Sequence, residues 1–115
     1  MKALLMIILT FLSAGCVKPI GTIGADAPPC IRALIIEMQK EAVRNPPASV
    51  WQYEYNGQTV YYIPPYCCDM YGTLYNSNCE IICHPDGGFT GKGDGRCTDF
   101  SSKRKNEKLI WKDNR

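Results

Sequence analysis

The sequence contains a single histidine, and this scarcity argues against most catalysis that depends on imidazole. Hydrolase triads need a histidine that reaches both a nucleophile and a carboxylate. His84 stands directly before Pro85, and no serine or cysteine has a convincing catalytic partner. The balance of 13 basic and 11 acidic residues also gives no reason to expect a nucleic-acid partner. We therefore predict a non-catalytic protein that does not bind nucleic acid.

The chain also lacks an apolar run long enough to span a membrane, which needs about 20 residues. Its most apolar stretch, Ala3 to Leu12, follows a basic start and precedes three small residues. This layout is typical of a secretory signal peptide over residues 1–15. The stretch LSAGC at the end of this segment resembles the lipobox of bacterial lipoproteins. Cys16 is therefore the predicted lipidation site and the mature N-terminus.

A lipid on Cys16 would anchor the mature chain to a membrane of the bacterial cell envelope. Val17 and Lys18 carry no acidic sorting signal, so we expect the periplasmic side of the outer membrane. Residues 16–25 contain three glycine or proline breaks and no periodicity, which predicts a tether between the lipid and the folded domain.

Seven cysteines are an odd number for an exported protein, and lipidation of Cys16 would leave six. The six disulfide candidates are Cys30, Cys67, Cys68, Cys79, Cys83 and Cys97. They allow three disulfides in 15 connectivities, and such bonds compensate for the thin core of a small exported domain. We predict a Cys83–Cys97 bond, because the glycine-rich stretch between them lets the chain turn back. Cys30 is then predicted to pair with Cys67 or Cys68.

The cysteine spacing matches no established cofactor motif. Cys79 and Cys83 precede His84 with one residue too many for the C-x-x-C-H motif of covalent haem attachment, and paired C-x2-C zinc ligands are absent. Oxidised sulfurs are poor ligands, so we predict neither a metal nor any other cofactor. The alternative hypothesis is a small thiol-redox or metal-binding protein. Its residues would be Cys67, Cys68, Cys79, Cys83 and His84.

Apolar periodicity predicts a helix over Ala27 to Arg44, ended by Pro46 and Pro47. The stretch VWQYEYNGQTVYYI predicts a β-hairpin, because Asn56-Gly57 is the preferred dipeptide of a two-residue turn. That turn places Trp51 opposite Tyr62. It gathers the larger side chains on one face, as a sheet buried on one side requires.

Two further short strands are predicted around Leu74-Tyr75 and from Glu80 to Cys83. These elements predict an α+β domain over residues 26–100. In it one N-terminal helix packs on a small antiparallel sheet of two hairpins, held by disulfides, with a long glycine-rich loop.

The loop itself, PDGGFTGKGDGR, holds five glycines in twelve residues. Its candidate binding residues are Asp86, Lys92 and Asp94, although their spacing matches neither a P-loop nor an EF-hand. Residues 101–115 carry six basic and two acidic residues, and we predict a solvated basic extension. An amphipathic contact with an anionic membrane is the alternative for this segment.

The motifs YNGQTVYYIPPYCCDMYGTLYN, IICHPDGGFTGKGDGRC and the following DF occur in this order. They resemble a family of small, cysteine-rich, uncharacterised bacterial lipoproteins that is classed as a domain of unknown function. The resemblance covers about Val50 to Phe100 and implies an envelope location and a disulfide-bonded domain. The residues and the resemblance together favour a non-catalytic lipoprotein that acts as a binding or accessory module. Its expected partner is an unidentified envelope protein or glycan.

Replacement of Cys16 by alanine should abolish incorporation of a labelled fatty acid, because the lipid is expected on that sulfur. Cells that express either the wild-type chain or Cys16→Ala are grown with the label, and the labelled protein is compared on gels. Cys30→Ala serves as the control and should keep the label. Equal labelling of wild type and Cys16→Ala would contradict the prediction.

Overall fold

The structure is a computed structural model that describes residues 21–115, so the predicted signal peptide and Cys16 lie outside the described residues. These residues form two helices and five strands. The helices are α1 (Pro29–Lys40) and α2 (Phe100–Lys103). The strands are β1 (Ser49–Tyr55), β2 (Gln58–Ile63), β3 (Thr73–Tyr75), β4 (Ile81–Cys83) and β5 (Lys105–Lys112). All five strands belong to one antiparallel sheet, in the order β4-β3-β2-β1-β5.

The predicted fold of one helix on two hairpins is wrong, because most of the architecture is this five-stranded sheet. The predicted solvated extension supplies the fifth strand: β5 pairs with β1, with Val50 opposite Trp111 and Gln52 opposite Lys108. β5 lies at the edge of the sheet, where exposed lysines prevent further strand pairing. Because β5 is rich in charged residues, its sequence resembles that of a solvated segment although it forms a strand.

The two predicted hairpins are confirmed. Trp51 lies opposite Tyr62, and the turn residues Asn56 and Gly57 have φ angles of 50° and 75°. Positive φ at both positions is what a type I′ turn needs, and glycine adopts it without a Cβ clash. In the second hairpin, Leu74 lies opposite Cys83. The two hairpins associate through pairing of β2 with β3.

The sheet is buried on both faces, whereas the alternation in β1 and β2 predicted burial on one. Helix α1 covers one face with Ile31 and Ile35, which pack with Val50, Tyr61 and Trp111. α1 ends at Lys40, four residues earlier than predicted, because Glu41 has extended backbone angles (φ −77°, ψ 163°).

The opposite face buries tyrosines around one phenylalanine of α2. The ring of Phe100 lies 5.5 Å from that of Tyr53, 5.3 Å from that of Tyr55 and 5.5 Å from that of Tyr62, centroid to centroid. Two of the three contacts are edge-to-face, an arrangement that aromatic quadrupoles favour. The tyrosines in alternating positions of the first hairpin are therefore core residues.

Each of the two disulfides joins one covering layer to the sheet. Cys83–Cys97 links the end of β4 to the end of the glycine-rich loop, which confirms the predicted pairing. Cys30 at the start of α1 bonds to Cys79 in the β3–β4 turn, so its predicted pairing with Cys67 or Cys68 is wrong. The β3–β4 turn therefore lies against the start of the helix. Cys67 and Cys68 are instead free and exposed thiols.

We expect Trp111→Ala to lower the free energy of unfolding by about 3–5 kcal/mol, because the indole is 1 % exposed and its removal leaves a core cavity. Leu109→Ala in the same strand is the matched control. That side chain is 44 % exposed, so the change should cost less than about 1 kcal/mol. Urea denaturation measures both. Similar midpoints for the two variants would contradict the integration of β5 into the core.

Candidate functional site

The glycine-rich loop uses Asp94 to hold itself together. The Asp94 carboxylate accepts hydrogen bonds from the backbone N–H groups of His84 (3.0 Å) and Arg96 (3.0 Å), and from the Arg96 guanidinium (2.9 Å). Partial burial raises the pKa of Asp94, but the hydrogen bonds outweigh this effect and lower the pKa to about 2. The candidate binding residue Asp94 is thus engaged within the loop.

Asp86 is directed toward strand β2 of the sheet. It accepts a hydrogen bond from the Tyr62 hydroxyl, and its other carboxylate oxygen, Oδ1, is buried without a hydrogen-bond partner among residues 21–115. Burial and this hydrogen bond raise the pKa of Tyr62. A Cβ at Gly72 would overlap Asp86 Oδ1, so a larger residue there would displace the Asp86 carboxylate. Lys92 is exposed, whereas Asp86 bonds to Tyr62 and Asp94 to the backbone N–H of His84.

His84 is held between the loop and β3. Its Nδ1 lies 3.0 Å from the carbonyl oxygen of Gly72, which can only accept, so Nδ1 carries the proton and donates. The Tyr71 ring stacks on the imidazole at 5.1 Å between centroids. These contacts give His84 a positioning role in the loop.

The residues of the alternative redox or metal hypothesis are separated. Cys79 and Cys83 belong to two different disulfides, and Cys67 and Cys68 are the only thiols among residues 21–115. Within residues 21–115, no three His, Cys, Asp or Glu side chains cluster in a way that would hold a metal ion.

An apolar groove lies at the base of the first hairpin, with a volume of about 260 Å³. Its walls are the segment that enters β1 and the segment that leaves β2. We call it the proline–aromatic groove, and it is lined by Arg44, Pro46, Pro47, Ala48, Ser49, Trp51, Ile63, Pro64, Pro65, Tyr66 and Lys112.

The aromatic rings of the groove are oriented by polar contacts. The half-buried Trp51 indole donates a hydrogen bond to Ser49 Oγ at 3.0 Å, so its polar atom is satisfied and its ring is left for apolar contacts. The Arg44 guanidinium lies 4.7 Å from the Tyr66 ring centroid, within cation–π range. The four prolines restrict the walls, since the ring of proline fixes φ.

The charges at the groove are basic. Arg44 forms an ion pair with Glu41. Lys112, at the end of β5, is exposed and forms no ion pair with any residue of the described chain. The groove therefore combines an apolar floor with one uncompensated positive charge.

A second, wider cavity of about 510 Å³ lies between the first hairpin turn and the segment from Ser102 to Lys105. Its charged groups are largely engaged: Lys103 pairs with Asp99 at 3.2 Å, and the Arg104 guanidinium lies 4.6 Å from the Tyr53 ring centroid. It exposes few apolar rings. The proline–aromatic groove is the better candidate for recognition.

A family model described as domain of unknown function (DUF6970) matches residues 36–113. The chain belongs to this family. No curated protein matches the sequence, and no solved structure does. The expected membership of a domain of unknown function is confirmed, and the match extends beyond the expected segment into α1 and β5. The DUF6970 match contains both walls of the groove, whereas Cys30 precedes it.

Sequence reasoning missed the groove of this DUF6970 chain, although one signal was present. Pro46-Pro47 precedes β1 and Pro64-Pro65 follows β2. Since the ends of an antiparallel hairpin lie side by side, the pairing of Trp51 with Tyr62 already brings the two dipeptides together. No sequence signal indicated that Lys112 lies at the groove, because its position depends on the long-range pairing of β5 with β1.

Within residues 21–115, no helix is both long and apolar enough to cross a membrane.

We expect Asp94 to make the stability of the loop dependent on pH. Its pKa is lowered from 3.8 to about 2 by folding, so the carboxylate stabilises the fold above its unfolded pKa. This contribution is lost as the pH falls toward about 2. The difference in thermal midpoint between wild type and Asp94→Asn should therefore shrink between about pH 5 and pH 2.

Thr90→Ala is the control, because it changes the same loop without removing an acidic group. Its difference from wild type should stay constant over this range, as followed by circular dichroism. A constant difference for Asp94→Asn as well would contradict the assigned hydrogen bonds.

Proposed function

We propose that this protein is a non-catalytic lipoprotein of the bacterial cell envelope, anchored through Cys16, and that it binds a partner through the proline–aromatic groove. The signal-like start and the LSAGC stretch support the anchor. The two disulfides support an oxidising compartment outside the cytoplasm, where such bonds persist. The proposed location on the periplasmic side of the outer membrane rests only on the absence of an acidic sorting signal after Cys16.

The observation that carries the binding role is a groove in which the half-buried Trp51 and the exposed Tyr66 lie with two proline pairs. Tyr66 is 38 % exposed even though the Arg44 guanidinium covers part of its ring. Aromatic side chains supply much of the binding energy at protein interfaces, and rigid walls reduce the entropy lost on association. A surface of this composition is suited to recognition.

The size and charge of the groove favour an extended peptide segment of an envelope protein. Its volume of about 260 Å³ lies below the usual range of enclosed small-molecule pockets, which begins near 300 Å³. Aromatic-lined grooves accept extended chains whose side chains alternate between pockets and solvent. Lys112 favours a carboxylate beside the apolar contacts. We therefore propose an acidic segment with interspersed apolar residues.

The anchor would hold the groove near the membrane. Gly21 donates a backbone hydrogen bond to Asn114 Oδ1 at 2.8 Å, and Gly24 donates one to the Ile110 carbonyl at 2.8 Å. The part of the predicted tether from Gly21 onward therefore lies along β5. Five residue steps separate Cys16 from Gly21, which allows at most roughly 18 Å. Partners bound near Lys112 would then also lie close to the membrane.

We expect Tyr66→Ala to weaken peptide binding by about tenfold, because removal of a central aromatic contact typically costs more than about 1 kcal/mol. The probe is a fluorescent peptide in which glutamates alternate with apolar residues, and binding is followed by anisotropy. Phe89→Ala is the matched control: this ring is 91 % exposed, lies outside the groove and should leave affinity unchanged.

Two further probes test the nature of the partner. The same peptide with lysine in place of glutamate should bind more weakly, and Lys112→Glu should remove this preference. An oligosaccharide probe that binds better than either peptide, with the same loss in Tyr66→Ala, would replace the peptide assignment with a glycan. Binding of no probe, or equal effects of Tyr66→Ala and Phe89→Ala, would contradict the role of the groove.

A further inference from the structure

Cys67 and Cys68 form a pair of exposed thiols whose sulfur atoms lie 2.8 Å apart. A disulfide bond is about 2.05 Å long, so a small rotation of the side chains would join the two sulfurs. The other four cysteines of the described chain are already disulfide-bonded. Both thiols are therefore accessible to a reagent, and each has the other as its neighbouring sulfur.

The backbone holds the two thiols together in a tight turn. The Met70 N–H donates to the Cys67 carbonyl at 3.1 Å, and Cys68 has a φ of 59°. A positive φ is uncommon for a residue with a side chain and costs backbone energy. The preceding Pro64-Pro65 cannot donate hydrogen bonds to a sheet, so the turn stays free of the strands.

A bond between adjacent cysteines would be easily reduced. Their Cα atoms lie about 3.8 Å apart across a trans peptide, whereas unstrained disulfides usually span about 4.4–6.8 Å. Strained and exposed disulfides have more oxidising potentials and exchange readily. In contrast, Cys83 is 0 % and Cys97 is 7 % exposed, so the Cys83–Cys97 bond is shielded from thiols.

We propose that Cys67 and Cys68 form a reversible dithiol–disulfide site that exchanges with a disulfide of another molecule. One thiolate of the pair attacks a sulfur of the incoming disulfide, and the other half of that disulfide leaves as a thiolate. The neighbouring cysteine then loses its proton, attacks the mixed disulfide and releases the second half. The pair loses two electrons and two protons, and the incoming disulfide becomes two thiols.

The pKa of the thiols determines how the rate of this exchange depends on pH. The hydrogen bond between the two thiols raises the pKa of Cys67, with further contributions from burial and from the charges of Cys68 and Asp69. Thiolates are the attacking species, so exchange should accelerate as the pH rises above neutrality. The site is independent of the proposed groove binding, because the two depend on different side chains.

The test equilibrates the purified full chain in buffers with different ratios of oxidised to reduced glutathione, followed by alkylation of free thiols. Chymotrypsin cleaves after Tyr66 and Tyr71, so the pair is recovered in one short peptide for mass spectrometry. As the ratio of oxidised to reduced glutathione rises, the doubly alkylated peptide should be replaced by the disulfide form. That form carries no alkyl group and has two hydrogens fewer than the dithiol. Reduced glutathione should reverse the change while the shielded Cys83–Cys97 bond stays intact.

Cys67→Ser and Cys68→Ser are the matched variants, since each leaves one exposed thiol with no neighbour to displace glutathione. Both should accumulate the mixed disulfide, which the wild-type chain resolves. The proposal is overturned if the wild-type pair stays alkylated at every ratio, if each cysteine retains its own glutathione, or if a closed bond resists all reduction. Peptide binding to the groove is measured on the same samples, so failure of either proposal is recognised separately.

Discussion

The register of β1 against β2 is the constraint on which the rest of the structure depends. The turn at Asn56-Gly57 places Trp51 opposite Tyr62, and the period of two along each strand then assigns every side chain to a face. A slip of one residue would move Tyr53 and Tyr62 away from Phe100. It would also separate the two proline pairs that line the groove.

Both faces of the sheet need a cover, and each cover is fixed by one disulfide. On the face of Val50 and Tyr61, helix α1 is attached through Cys30–Cys79. On the opposite face, the glycine-rich loop is attached through Cys83–Cys97. Small domains bury only a modest fraction of their surface, so a bond of roughly 2–4 kcal/mol at each layer is a large share of the stability.

The two proposed functional features arise from one segment of chain. After β2 ends at Ile63, Pro64 and Pro65 prevent further sheet pairing, because proline has no N–H to donate. The chain therefore leaves the sheet, and Tyr66 forms part of the groove. The next two residues, Cys67 and Cys68, lie in an exposed turn instead of a strand. A groove for recognition and a thiol pair thus lie next to each other without sharing side chains.

The sequence by itself determined the local features: the turn at Asn56-Gly57, the register of the first hairpin, the helix around Ile31 and Ile35, and the Cys83–Cys97 bond. These depend on residues that are close in the chain or on a periodicity that one element imposes. Only the tertiary structure decided that Trp111 enters the core, that Cys30 meets Cys79, and that Lys112 reaches the groove. Those contacts join distant segments, and their energies depend on packing that no local pattern encodes. For the same reason the sequence did not show that Asp86, a candidate for ligand binding by composition, bonds to Tyr62 of the sheet. Asp94, a second such candidate, bonds within its own loop.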